Sequence, residues 1–598
     1  MKRTGTRFRP RLAANHYDAI VIGSGIGGLT TAALLSKLGK RVCVLEQHYT
    51  AGGYTHSYER EGYEWDVGVH YIGEVHKPWS MIRRVFDVIS DGKLEWAPMD
   101  AHYDRIVIGE QSYDYVAGRD EFKAEMKRHF PAEAAAIDRY VELLSEVSAR
   151  VPRFFAGQAL PRSLGMLYAR LRRLWLPAYF FKSTREVLEG LTSNQELIGV
   201  LTAQWGDYGL PPAQAAFVMH AMVAKHYITG GNYPVGGAIR ISETIIPLIE
   251  AAGGNVFTYA GVDKILVENG RAVGVRLHKD GFEIRAPQIV SCAGLVPTYT
   301  RLLEQQVAEA HGLLAPLKQV ELSAATLCLY AGFKGSAAEL GLPKTNYWVY
   351  PSHDHDHNVS SFESGQNPAM PLIYISFPSA KDPSWDAHYP HKATVEIVAP
   401  TLPQWFAPWK GSTWGKRGAD YEAFKAQLTE QLLETLYRHQ PQLRGALQRG
   451  LDHGGAALFS VYSGAGTHTA SLPAYLVGAA ASEARLFPAF CHDPSAGNDW
   501  AARFSLAGNS QVIGTSEMYE SEASRENGIA SVQKNAADDA RYERLTGKDG
   551  SPYFTLKAVN GQVIGQSQMY SGAKARDAGI ESVQAHAAEA GLYDQTAT

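Results

Sequence analysis

The stretch from Tyr17 to Gly53, YDAIVIGSGIGGLTTAALLSKLGKRVCVLEQHYTAGG, constrains this chain more than any other. Ala19 to Ile22 is a short apolar run, suited to a strand buried on both faces. Gly23, Gly25 and Gly28 follow in G-x-G-x-x-G spacing, and Leu29 to Leu38 carries helical apolar periodicity that stops at Gly39. Arg41 to Leu45 reads as a second strand, ending in Glu46. The whole is one βαβ unit.

Each part of that unit has a physical job. Gly23 permits a tight turn off the strand, Gly25 lets backbone N–H groups approach a pyrophosphate, and Gly28 lets the helix pack on the sheet. The helix start offers unpaired donors and a partial positive charge to that anion. Glu46 lies about 20 residues on, where an acid accepts from a ribose diol. The alternative is a Gly-rich turn without a ligand. The strand before, the helix after and the acid in place favour a dinucleotide over Gly23, Ser24, Gly25, Ile26, Gly27 and Gly28.

At 598 residues the chain has room for more than one domain. A net charge of -4 argues against a nucleic-acid binder. Cys43, Cys292, Cys328 and Cys491 are scattered, with neither C-x-x-C nor a zinc pattern, which points to a reducing cytosol. No run of ~18 apolar residues suggests a membrane span. The first sixteen residues are basic without an apolar core, so they read as a disordered tail or as a weak attraction to anionic lipid, not a secretory signal.

Tyr54 to Tyr63 alternates enough for a hairpin, and Asp66-Val67-Gly68-Val69-His70-Tyr71 follows it. A glycine-flanked His-Tyr here suits a place beside a cofactor ring; residue type alone equally allows a structural histidine. Taken together, Gly23-x-Gly25-x-x-Gly28, Glu46, Gly52-Gly53 and Asp66-x-Gly68-x-His70 resemble FAD-dependent oxidoreductases, and within them the carotenoid desaturase and retinol saturase (all-trans-retinol 13,14-reductase) family. In that family the paired glycines, here Gly52 and Gly53, lie along the cofactor.

Residues from about 120 to 230 read as helices, with Glu133 to Val151 amphipathic and Pro131 at a helix start. Phe154, Phe155, Tyr168, Trp175, Tyr179, Phe180 and Phe181 interleave with Arg153, Arg162, Arg170, Arg172, Arg173, Lys182 and Arg185. Two readings stand: helices packed on the core with a basic outer face, or a patch that lies on a lipid surface.

Tyr233-Pro234-Val235-Gly236-Gly237 precedes a helix from Ala238 to Ala252. Asn255 to Tyr259, Val262 to Val267 and Ala272 to His278 read as strands, with hairpin turns at Asn269-Gly270 and Asp280-Gly281. The run Gln288 to Cys292 ends at Ala293-Gly294. This resembles the family's return to its FAD domain, which implies Val262 against the adenine and His70, Ala293 and Gly294 beside the cofactor. Ala324 to Gly332, Tyr347 to Tyr350, Leu372 to Phe377 and Ala393 to Val398 are strand-like and suit the floor of a substrate pocket. His353-Asp354-His355-Asp356-His357 would share a face if extended, which raises a metal; without a further ligand set a solvated loop is the expectation, and no metal site.

Tyr421 to His439 reads as an amphipathic helix, and the resemblance runs to about Gly445. Residues 453–500 are rich in Ala, Gly and Ser, and show no equivalent of the family's closing Gly-x-Asp element. From Phe504 and again from Phe554 the chain repeats itself with a period of about 50 residues. Each copy reads strand, turn, strand (Gln511 to Ser516; Gln562 to Ser567) and helix, with Ser521 and Ser571 as N-caps and Ile529/Val532 or Ile580/Val583 as the apolar stripe. It is similar to the small YegP-like tandem-repeat domain of unknown function. Two copies should pack together, since one is too small for a core.

The expected fold is α/β: a doubly wound, Rossmann-like FAD-binding domain with an inserted α+β substrate domain, then a small α+β tandem-repeat domain. The expected divisions are a basic tail at 1–16, FAD-binding parts at 17–100 and 233–300, a helical substrate- or membrane-facing part at 101–232, a substrate domain at 301–450, an atypical segment or linker at 451–500 and the repeats at 501–598. The resemblance implies hydride transfer at flavin N5 that desaturates or saturates C–C bonds of a carotenoid- or retinoid-like isoprenoid, with NAD(P) open as an electron partner. Asp66, His70 and Tyr71 are the candidates for tuning or proton supply. An amine-oxidase-like flavoenzyme and an inactive scaffold with an interaction domain are the rival readings. A lipophilic substrate, no nucleic acid, an unidentified partner for the repeats and a cytoplasmic, membrane-peripheral site complete the expectation.

Overall fold

Ala19–Ile22 and Val42–Leu45 are buried along their whole length because each is covered on both faces. Alternate side chains serve alternate faces. Ala19, Val21, Val42 and Val44 pack against helices Ile26–Lys37 and Ile239–Ala251, while Ile20, Ile22, Cys43 and Leu45 pack against Ile265, Val275, Leu277 and Ile284 of a three-stranded antiparallel meander. Between these layers lies a five-stranded parallel sheet in the order Thr6–Arg7, Asn255–Thr258, Val42–Leu45, Ala19–Ile22, Ile289–Ser291. The sheet is Rossmann-like and is assembled from three distant parts of the chain.

The computed structural model describes residues 3–447 apart from 15, 161, 316, 318–324, 368, 411 and 413–416. Beyond them it describes strands at 457–462, 503–505 and 512–515, and residues 534–586 apart from 548–549, 562 and 568–571. The chain forms two units, Met1–His492 and Asp493–Thr598.

The first unit also holds a seven-stranded sheet in the order Ala457–Tyr462, Ala325–Lys334, Lys392–Thr401, Ile373–Ser376, Asn346–Tyr350, His102–Ile108, Gln111–Val116. All its pairings are antiparallel except that of Asn346–Tyr350 with His102–Ile108. One face carries Val395, Ile397 and Ile375 against Leu428, Leu432 and Leu436 of helix Ala419–His439. The other carries Ile106, Trp348, Tyr350 and Tyr374 against a helical layer that includes Ala134–Phe155 and Phe217–Tyr227.

Three expectations are corrected here. The basic start is not a disordered tail: Thr6–Arg7 is the edge strand of the nucleotide sheet, Thr4 donates to the Ala51 carbonyl at 2.8 Å, and Phe8 sits 5.2 Å from the ring of Phe257. The part from 101 is not helical at its start, because His102–Val116 is a hairpin completed by strand pairing with Asn346–Tyr350. Ala457–Tyr462 is no linker but an edge strand on Ala325–Lys334. The remaining expectation for 453–500, including the missing Gly-x-Asp element, lies outside the described residues.

In the second unit five antiparallel strands run Arg503–Ser505, Val512–Thr515, Val563–Gln566, Pro552–Lys557, Tyr542–Thr546. Helix Ala573–His586 sets Ile580 and Val583 against Tyr542, Phe554 and Leu556. Ser521, Ser571, Ile529 and Val532 lie outside the described residues.

Candidate cofactor and active site

The chain leaves Ile22 through Gly23 at φ +94° and starts its helix at Ile26. A Cβ on Gly28 would fall 2.0 Å from the Gly23 carbonyl oxygen, so only glycine allows this turn. A Cβ on Gly25 would meet nothing within 4 Å. The helix start is therefore bare backbone facing open space, and helix geometry leaves the N–H groups of Ile26, Gly27 and Gly28 without an intrahelical acceptor.

Two further pieces converge on this turn. The Gly52 N–H donates to the Ser24 carbonyl at 3.2 Å, and a Cβ on Gly53 would lie 2.8 Å from the Gly25 Cα. From the far side the Cys292 N–H donates to the Ile22 carbonyl at 2.8 Å, which sets Ala293 and Gly294 along Gly23. The Glu46 carboxylate closes the cradle: it accepts from the Ser24 N–H at 3.0 Å, the Ser24 hydroxyl at 2.6 Å and the His48 N–H at 2.8 Å. Gly261, one residue before Val262, abuts Gln47, and Val262 packs on the cluster that holds Ile22 and Leu45. A Cβ-free cradle, a bare helix start and a strand-end carboxylate fit a dinucleotide.

Asp66, His70 and Tyr71 are brought into one buried polar network, though they do different things. The Asp66 carboxyl accepts from the Tyr233 hydroxyl and from the Ala238 N–H at 2.9 Å, which anchors the start of helix Ile239–Ala251. Burial, and then Glu396 nearby, push its pKa well up. Tyr71 donates to Asp104 at 2.8 Å, and Asp104 also takes Asn346 and Gln204, each at 2.9 Å. Both side chains are enclosed and spend their polar atoms on protein. His70 alone of the three stays partly open, with 15% of its side chain exposed and Nδ1 2.7 Å from Glu396 Oε2.

Sequence reasoning missed Glu396, Lys381, Asp104 and Tyr233. Glu396 is a lone acid on the strand Lys392–Thr401, opposite the face that buries Val395 and Ile397. Lys381 is wholly buried and donates to the His70 carbonyl at 3.0 Å, to the Ser376 hydroxyl at 2.7 Å and to Asn346. Burial lowers its pKa to about 7. Tyr233 opens the Tyr-Pro-x-Gly-Gly element, a signal that marked the segment but not the residue.

The His353–His357 run is neither an extended strand nor a solvated loop. Asp354 caps helix His355–Glu363 by accepting the His357 N–H at 3.1 Å. His355 is buried, with Nε2 donating to the Gly199 carbonyl at 2.8 Å, and Asp356 takes Arg185 at 2.8 Å. Among the described residues no three His, Cys, Asp or Glu are grouped to hold a metal ion.

The aromatic-basic stretch divides. Phe154 and Phe180 belong to the core, with the Arg172 guanidinium 4.2 Å over Phe154. What faces outward is Leu160, Leu164, Leu167, Leu171, Leu174 and Trp175, at helical spacing along Arg162–Leu171 and the turn after it. Among the described residues no helix is long and apolar enough to cross a membrane.

Residues 21–87 match the NAD(P)-binding Rossmann-like domain model, and residues 501–543 and 548–594 match a domain of unknown function, DUF1508. All-trans-retinol 13,14-reductase of Homo sapiens is 37% identical over 457 residues, 74% of this chain and 75% of that protein. A Danio rerio protein named inactive all-trans-retinol 13,14-reductase is 32% identical over 450 residues, 72% of this chain and 73% of its own length. A UPF0339 protein of Bordetella pertussis is 63% identical over 90 residues, 15% of this chain and 81% of that protein. By that identity and coverage the chain belongs to the all-trans-retinol 13,14-reductase family of oxidoreductases and carries a UPF0339 domain at its C-terminal end.

Proposed function

We propose that this protein is an FAD-dependent oxidoreductase that saturates a carbon–carbon double bond of a retinoid- or carotenoid-like isoprenoid. The observation that carries the reading is the convergence of Gly23–Gly28, Gly52–Gly53 and Ala293–Gly294 on one turn, with Glu46 beside it. When bound, FAD supplies hydride chemistry at a ring nitrogen. The chain's own part is to hold and surround. The bare helix start would receive the pyrophosphate, Glu46 the ribose, and Val262 the adenine side. The seven-stranded sheet would floor the substrate pocket, with the strand that carries Glu396 beside His70. His70 is the partly open acid–base group of the buried network.

The test is a visible spectrum of the purified protein, then addition of FAD, a reductant with NAD(P)H tried first, and a retinoid alcohol. Flavin bands and a product with one fewer double bond are expected. No flavin bands, before or after incubation with FAD, would sink the reading. Bound flavin that no polyene reoxidises would favour the scaffold alternative, which a relative named inactive keeps in view.

We also propose that Leu160 to Trp175 rests on an anionic lipid surface. The exposed leucines recur at helical spacing, and Arg153, Arg170 and Arg173 are exposed in the same stretch of a chain whose net charge is -4. A substrate dissolved in lipid would then reach the protein without crossing water. The UPF0339 domain is proposed as a binding or stabilising appendage formed by two copies of one unit.

A further inference from the structure

Glu396 lies in a setting where a carboxylate is hard to keep. It is wholly buried, and its Oε1 accepts one backbone N–H, from Asp66, at 2.5 Å. Its Oε2 faces His70 Nδ1 at 2.7 Å. Among the described residues no lysine or arginine forms an ion pair with it. The cation nearby, Lys381, spends its N–H groups on the His70 carbonyl, Ser376 and Asn346.

The groups facing the pair come from every element around it: Asp66 from strand Tyr63–Asp66, Tyr233 from strand Gly231–Pro234, Cys328 and Tyr374 from the neighbouring sheet strands Ala325–Lys334 and Ile373–Ser376, and Lys381. All but Lys381 are acids that burial pushes toward their neutral forms. Burial likewise raises Glu396 to about 8 and lowers His70 to about 3. A neutral carboxyl beside a neutral imidazole is the consistent state near pH 7. The carboxyl then donates to Nδ1, and the ring proton sits on Nε2.

We propose that Glu396 and His70 hold one transferable proton between them, and that His70 delivers it to the substrate carbon that does not receive the hydride. This rests on the reading of the protein as a flavin-dependent alkene reductase. The balance is simple. One olefinic carbon would receive a hydride, with its electron pair, from the reduced cofactor. The π electrons of the broken double bond take the proton from His70 Nε2 at the other carbon. His70 Nδ1 takes the proton of Glu396, the carboxylate is left with the negative charge, and water restores the proton. Glu396 is a positioning residue acting through His70; its burial keeps the proton in place until the substrate arrives.

The first test does not need turnover. Infrared spectra of the full chain near pH 7 should show the carbonyl stretch of a buried protonated carboxylic acid that is missing in Glu396→Gln and fades in the wild type as pH rises through about 8. Glutamine can still accept the Asp66 N–H and face Nδ1, so the variant should fold and bind flavin; its unfolding midpoint and visible spectrum check this. In the second test, Glu396→Gln should slow alkene reduction about a hundredfold or more while flavin reduction by the donor is unchanged, and His70→Gln should slow alkene reduction at least as much. The alkaline limb of the wild-type rate should vanish in Glu396→Gln. Wild-type rates with that limb intact in both variants, or a carboxylic absorption whose intensity Glu396→Gln leaves unchanged (buried Asp66 contributes its own band), would overturn the proposal. A protein that binds no flavin but shows the band would instead defeat the functional reading and leave the proton-holding pair standing.

Discussion

The Tyr233 hydroxyl donates to the Asp66 carboxyl across 167 residues of sequence, and the other oxygen of that carboxyl holds the Ala238 N–H at 2.9 Å. Asp66→Ala would strand both donors in a buried site. We expect a loss of about 2–4 kcal/mol, against about 1 kcal/mol for Tyr233→Phe, which removes one donor and leaves the helix anchor. Urea unfolding of both variants and the double variant would measure the difference; equal losses would mean that Asp66 does not anchor the helix.

Gly25 and Gly28 separate folding from binding. Gly28→Ala places a Cβ 2.0 Å from a backbone oxygen and should destabilise the protein by about 3 kcal/mol or prevent folding. Gly25→Ala meets no protein atom within 4 Å and should cost less than about 1 kcal/mol. Its methyl group nevertheless occupies the open side of the cradle, so the affinity for FAD should fall tenfold or more. Flavin fluorescence titration beside thermal melts would show the contrast.

His226 makes stability depend on acid. Its Nε2 accepts the Gly73 N–H at 2.8 Å, and burial lowers its pKa to about 4. Between about pH 6.5 and 4 the unfolded chain binds a proton that the folded chain refuses, so this residue's contribution falls as pH falls. The loss is about 3 kcal/mol across that window. His226→Gln keeps an acceptor for Gly73 and cannot titrate. The stability difference between wild type and variant should therefore narrow from pH 7 to pH 4.5 in urea midpoints.

The leucine stripe predicts vesicle binding without a change in fold stability. Leu167 and Leu174 are 53% and 80% exposed. Changing both to Asp should leave the unfolding midpoint within about 0.5 kcal/mol of wild type. Co-sedimentation with anionic phospholipid vesicles should weaken about a hundredfold or more, and high salt should weaken the wild type partially. Equal sedimentation of the two proteins would remove the lipid reading.

What the sequence revealed follows the range over which its signals act. The βαβ unit, the strand ending at Ser291 and the Asn269-Gly270 turn, where both residues take positive φ, were readable because each pattern is local. Thr6–Arg7 is too short for any period, and its register exists only beside Asn255–Thr258. The hairpin from His102 hides within a helix-rich stretch because its partner strand begins only at Asn346. Asp354 fits the ordinary preference for an N-cap, and weighing that would have placed the histidine run on a helix. Glu396 resisted for a different reason. On a strand that alternates Val395, Glu396, Ile397, an acid reads as solvent-facing, and only the hairpin of Trp65 and Asp66 laid over that face buries it.

The five-stranded nucleotide sheet has a temporal consequence. Val42–Leu45 leaves the ribosome long before Asn255–Thr258, the strand that lies beside it. At roughly 5–20 residues per second that gap lasts on the order of ten to forty seconds. For that interval the strand that leads to Glu46 has an unprotected edge. The motif at the front of the chain therefore depends, during synthesis, on a shield that the chain has not yet made, and early-terminated products should be clients of chaperones rather than small binding domains.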